Sequence, residues 1–157
     1  MPFPTPDTPH SALPTPHSDH HPPLHAHPAR REARILAMQA LCCLDAQGDD
    51  ALPVVDTLFA ESEATADVRV RARTLVEAAR ARRDDFEADL KATVPAWDVA
   101  RITLVDRNVL RVAAAELALA DTPPRVILNE AIEIAREYGS AESPAFVNGV
   151  LDAIYKR

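Results

Sequence analysis

Between Ile35 and Leu44 the only polar side chain is Gln39. Wound into a helix, these residues put apolar groups around nearly the whole circumference, and such a helix has to be enclosed by other elements. That one stretch commits the chain to a fold built around a central helix. The remainder after Ala29 agrees with it: rich in Ala and Leu, poor in glycine, and almost free of alternating β-branched or aromatic runs. The expectation is an all-α domain.

The central helix is predicted over about 29–46, ending near Gly48. A short helix follows from Leu52 to Phe59 or Ala60, with Pro53 in its first turn. A long helical stretch then covers about 67–93 and stops before Pro95; Leu75, Ala79, Phe86 and Leu90 fall near one stripe, which shifts at a break near Arg83-Asp84. Thr103-Leu104-Val105-Asp106 has the spacing of a capping box, with Asp in place of the usual Glu, and opens a helix to about Leu119. Val109, Val112, Ala113 and Leu117 are its core candidates. Thr122-Pro123-Pro124 begins another helix, which runs to Tyr138 with Gly139 as a left-handed cap. Ser143-Pro144 opens the last, carrying Phe146, Val147, Val150, Leu151 and Ile154. Gly149 in its interior costs ~1 kcal/mol against Ala, for which close approach by a neighbouring helix is the expected return.

Composition divides the chain at Pro28. The first 28 residues hold nine of the fourteen prolines and all six histidines, too little apolar surface to offset ordering entropy, so residues 1–28 are expected to be a disordered tail and 29–157 the folded domain. No apolar run approaches the ~18 residues of a membrane-spanning helix, and the N-terminus lacks the features of a secretory signal. The two cysteines, Cys42 and Cys43, are adjacent, which excludes a disulfide scaffold and a cysteine-based zinc site and makes a reducing cytoplasm the default. Residues 29–157 carry 17 basic against 22 acidic side chains, so there is no uniformly basic nucleic-acid coat.

Chemistry is hard to find. The domain has no histidine base, no glycine-rich phosphate loop and no metal-ligand spacing, and no cofactor or catalytic set is expected. Glu130, Glu133 and Glu137 share a helix face, read as solvated. Cys42 and Cys43 read as buried structural thiols, and Asn129 as a buried, hydrogen-bonded amide. The tail's histidines offer no rigid geometry to select a metal. Arg69, Arg71, Arg73, Arg80, Arg82 and Arg83 are interleaved with acids and read as a solvated face. Arg30, Arg31 and Arg34 are different. They stand in the first turns of the central helix, where the macrodipole favours acids. A solvated helix start and a phosphate-binding patch both fit them.

The run Val126-Ile127-Leu128-Asn129-Glu130-Ala131-Ile132-Glu133-Ile134-Ala135-Arg136, followed by Phe146-Val147-Asn148-Gly149-Val150-Leu151-Asp152, resembles the NusB family. Trp97, the run Val105 to Ala113, and Glu116-Leu117 are similar to its middle pattern. Ala29-Arg30-Arg31-Glu32-Ala33-Arg34 and Met38-Gln39-Ala40-Leu41 are similar to its arginine-rich opening helix. The resemblance implies about seven helices in two crossed bundles and a non-enzymatic role in bacterial transcription antitermination. Its implied partners are single-stranded boxA-type RNA, notably of ribosomal RNA leaders, the ribosomal protein NusE, and the antitermination complex on RNA polymerase. It carries phosphate contact to Arg30, Arg31 and Arg34, and possible RNA or partner contact to Gln39, Glu142, Phe146 and Asn148. A homodimer is plausible for the free protein.

Two departures stand out. Family members often have an aromatic where this chain has Cys42, a stacking contact worth ~1–3 kcal/mol if it meets RNA. Glu32 replaces a further arginine of the cluster. Both imply weak RNA binding by the chain alone, helped by a basic partner. Two other readings use the same fold: a protein-binding helical adaptor with little RNA binding, and a relative of the RNA-binding domain of an rRNA cytosine methyltransferase.

Overall fold

The structure, a computed structural model, describes residues 27–155, with Trp97 described by its backbone alone. The proposed tail therefore lies almost wholly outside the described residues. Eight α-helices appear among the described residues: α1 (Pro28–Gln47), α2 (Leu52–Glu61), α3 (Ala66–Ala81), α4 (Arg83–Thr93), α5 (Ala96–Val99), α6 (Leu104–Leu119), α7 (Pro124–Tyr138) and α8 (Ser143–Tyr155). A 3₁₀ turn, Asp49–Ala51, joins α1 to α2, and α5 is a single turn. No strand occurs among the described residues. The fold is the expected all-α one, with seven longer helices.

The helix starts follow local chemistry. Pro28, Pro53 and Pro124 sit in first turns, where a missing N–H costs nothing. Thr65 Oγ1 accepts from the Val68 amide at the start of α3, and Thr103 Oγ1 accepts from the Asp106 amide at the start of α6. The expected break in the long stretch falls at Arg82, dividing α3 from α4.

Helix α1 is the centre. Leu36, Ala37, Met38, Ala40 and Leu41 are buried, while Ile35, Cys42, Cys43 and Leu44 are half-buried against the same core. It packs on α2, α3 and α6. Helix α7 packs on both α6 and α8, which also touch each other, and α4 packs on α8. Two bundles result, α1–α3 and α4–α8, and α6 touches members of both. Leu75, Ala79, Phe86 and Leu90 are buried as their stripe required.

Four expectations are corrected. Gly139 is not a left-handed cap: its φ is −95°, and the left-handed residue is Ala120, φ 55°, after α6. Gly139 is needed for space, since a Cβ there would lie 2.6 Å from the Ala135 carbonyl oxygen. Gly149 has nothing within 4 Å of such a Cβ, so no neighbouring helix approaches it. Asn129 is exposed, and the buried amide is Asn108, whose Nδ2 donates to the Leu104 carbonyl at 2.9 Å. The cysteines are half-buried rather than enclosed.

Leu110, fully buried on α6, tests the shared core. Leu110→Ala should lower unfolding free energy by about 2–5 kcal/mol, read as a lower urea midpoint with an unchanged slope.

Candidate nucleic-acid interface

The arginines at the start of α1 have no acid in their own first turn. Their counter-charges arrive from α6, α7 and the loop between them. Arg34 is 3% exposed, and its Nε and Nη2 donate to the two carboxylate oxygens of Glu116 at 2.7 and 2.8 Å. Arg31 makes the same two-pronged contact with Glu130 at 2.7 and 2.8 Å, but its side chain is 37% exposed. Arg30 is looser: Nη1 donates to Thr122 Oγ1 at 2.6 Å and stands 3.7 Å from Asp121 and 3.9 Å from Glu116. The three arginines thus grade from buried to open.

A fourth guanidinium joins them. Arg71 of α3, read from sequence as part of a solvated face, reaches Asp121 at 2.5 and 2.9 Å and Glu116 at 3.2 Å. Glu130, also read as solvated, is 3% exposed. The helical stripe could not reveal this, because the group covering Glu130 is Arg31, 99 residues earlier. Four arginines face three carboxylates, Glu116, Glu130 and Asp121. Most of the cluster's positive charge is therefore spent within the fold. Burial alone would raise the Glu116 pKa, but hydrogen bonds and charge from Arg34, with Arg71 and Thr122, outweigh it and hold the carboxyl below its ordinary value.

A second ionic group fastens the other end of α1. Arg111 of α6 meets Asp45 at 3.0 Å and Glu87 of α4 at 2.8 Å, and lies over the Phe86 ring at 5.7 Å. Helix α1 is thus pinned to the last turn and the middle of α6, and the two run antiparallel, since Arg34 meets Glu116 while Asp45 meets Arg111.

Beyond that end lies a polar groove of about 410 Å³, lined by Asp98, Arg101, Ile102, Thr103, Asp106, Ser140, Glu142 and Phe146. Asp106 is buried, and its Oδ1 has no hydrogen-bond partner. Aspartate is a methylene shorter than the glutamate of a full capping box, and only the Thr103-to-Asp106 half forms. The α7–α8 turn shapes the far wall: the Ser140 amide donates to the buried Ser143 Oγ at 2.9 Å, which leaves Glu142 exposed beside the half-buried Phe146. Arg31, Ile35, Gln39 and Cys42 are all partly exposed and follow one another at four, four and three residues, one face of α1. That stripe runs about 16 Å at the helical rise. It ends where Cys42 Sγ lies 3.8 Å from the Leu104 carbonyl, next to Thr103 of the groove.

Of the residues singled out from sequence, Arg30 and Arg31 stand at one end of the stripe, Gln39 midway, and Glu142 and Phe146 in the groove. Arg34 lies beneath the surface in its ion pair, and Asn148 is exposed on α8 but does not line the groove. Sequence reading missed Asp106 and Arg71. The imperfect capping box was the one signal for Asp106, and Arg71 had none.

The architecture defines an all-helical scaffold with an arginine-bearing helix start and a polar groove. The chain belongs to the NusB family, whose profile it matches over residues 31–156. It is 37% identical to the transcription antitermination protein NusB of Syntrophus aciditrophicus over 129 residues, 82% of this chain and 80% of that one. With that of Trichlorobacter lovleyi it shares 43% over 130 residues, 80% of this chain and 89% of the other. Among solved structures, a crystal structure of antitermination factors NusB and NusE with double-stranded RNA contains a chain with TM-score 0.74 and 26% identity, covering 83% of this chain and 98% of that one. T. maritima NusB superposes with TM-score 0.73 and 30% identity, covering 82% and 91%.

Removing Arg34 strands the buried Glu116 carboxylate, so Arg34→Ala should cost about 3–5 kcal/mol in urea unfolding at neutral pH. The pH dependence has a defined sign. A carboxyl whose folded pKa is depressed contributes stability above its unfolded pKa of about 4.3 and loses it as pH falls through the folded value. Glu116→Gln should therefore destabilise the protein at pH 7 and flatten the acid limb of its stability curve.

Proposed function

We propose that this protein acts in bacterial transcription antitermination by holding single-stranded boxA-type RNA, together with the ribosomal protein NusE, in support of ribosomal RNA transcription. The observation that carries the reading is the succession from Arg30 and Arg31, along the partly exposed face of α1, to the groove holding Asp106, Glu142 and Phe146. Single-stranded RNA is held by basic groups on its backbone and by planar side chains under splayed bases. Arg30 and Arg31 supply phosphate contacts at one end. Phe146 supplies a stacking face at the other, and the exposed Glu142 carboxylate accepts from base amino groups.

On this reading Arg34 supports its neighbours rather than touching RNA, and Cys42 leaves the middle of the succession without a stacking ring. Both keep intrinsic affinity low. The acidic domain suits a basic protein partner, which restores affinity by charge complementarity. The assembly then acts on RNA polymerase in the cytoplasm, as a binding factor and not as a catalyst.

Phe146→Ala should weaken binding of a boxA-type RNA by about 1–3 kcal/mol, read by fluorescence anisotropy. Arg30→Ala should weaken it and flatten the plot of log affinity against log salt by about 0.7, the slope of one single-strand phosphate. Unchanged binding in both variants would favour a purely protein-binding adaptor.

A further inference from the structure

Glu130 presents a puzzle for an RNA surface: a buried carboxylate placed directly against an arginine meant for phosphate. Its geometry resolves the conflict. Arg31 gives Glu130 its Nε and Nη2, one edge of the planar guanidinium. Nη1 has no partner among the described residues, and the side chain is 37% exposed. The edge formed by Nη1 and the second Nη2 proton is thus open, and a guanidinium can serve two anions on two edges at once.

Behind Glu130 stands Arg34, whose Nη1 lies 3.7 Å from Glu130 Oε2 and makes no hydrogen bond. Arg34 is itself fixed by Glu116. Charges therefore alternate from the core outwards as Glu116, Arg34, Glu130, Arg31. The Glu130 charge is shared between two arginines, and Glu133 and Glu137 act on Arg31 through space without being among its hydrogen-bond partners, so the second edge of Arg31 is left open in geometry.

We propose that Glu130 is a positioning residue of the RNA surface: it clamps one edge of Arg31 so that the opposite edge is presented to a backbone phosphate. The side-chain entropy of a long arginine is then lost on folding and not on binding. The inference rests on the RNA reading above, and it has a sign opposite to simple electrostatics. Deleting a negative charge beside a phosphate site should tighten RNA binding. Deleting a clamp should loosen it.

The test uses the full chain with a fluorescein-labelled single-stranded boxA-type RNA, titrated over a range of salt. Glu130→Gln removes the charge and half of the clamp; Glu130→Asp keeps the charge but withdraws the carboxylate by one methylene. Both should weaken binding several-fold and flatten the salt slope by up to about 0.7, one phosphate. Arg31→Lys, which keeps the charge and loses the fork, should behave the same way. Tighter binding by Glu130→Gln, or weaker binding with an unchanged slope in either variant, overturns the inference, the latter by showing a purely structural role. A wild-type chain that binds no RNA overturns the RNA reading as well. A wild-type chain that binds RNA while Arg31→Lys leaves affinity and slope unchanged overturns the clamp alone.

Discussion

The two-pronged contact between Arg34 and Glu116 is the interaction on which the arginine-bearing end of this protein depends. Both side chains are buried, at 3% and 1% exposure, and taking two charges out of water is costly enough that such a pair adds little net stability. What it does add is geometry. A planar fork against a carboxylate admits essentially one orientation, so it fixes where the first turns of α1 sit against α6. Glu130, Asp121 and Thr122 then meet Arg31, Arg71 and Arg30 in register. A helix start crowded with arginine, unfavourable by its own dipole, is tolerated because the tertiary fold brings the acids that its sequence lacks.

That arrangement grades the arginines by depth. Arg34, nearest the core, is held in a buried ion pair, and on the proposed function those nearest solvent present an edge to an anion. On the proposed function the same device limits affinity for RNA, since three carboxylates stand among four guanidiniums. A surface so compensated would suit binding with a partner, with base contacts rather than backbone charge carrying selectivity.

Much of the fold was legible in the sequence. The all-round apolar run from Ile35 to Leu44 required a central helix, and Pro53, Thr103 and Pro124 marked helix starts that the structure keeps. Local periodicity could not tell which polar residues on a helix are covered by another element. Glu130 and Arg71 both lie on helices whose charges look solvated, and each is drawn inward by a partner distant in the chain. Asn129 and Asn108 exchange roles for the same reason, as burial of an amide depends on the neighbour packed over it. Gly139 was singled out correctly as a special position but for the wrong cause: it makes room for Ser143 and needs no left-handed backbone. For the candidate site, resemblance supplied the residues; the structure buries Arg34 in its ion pair and brings Asp106 to the groove beside Glu142 and Phe146.

The proposed division of labour among the arginines is tested directly by NMR of ¹⁵N-labelled guanidinium groups as boxA-type RNA is added. The Arg34 Nε–H signal should be slow to exchange with water and stay in place, while those of Arg30 and Arg31 move with RNA. An Arg34 signal that shifts as far as that of Arg30, or that exchanges as freely as a surface arginine, would contradict the account.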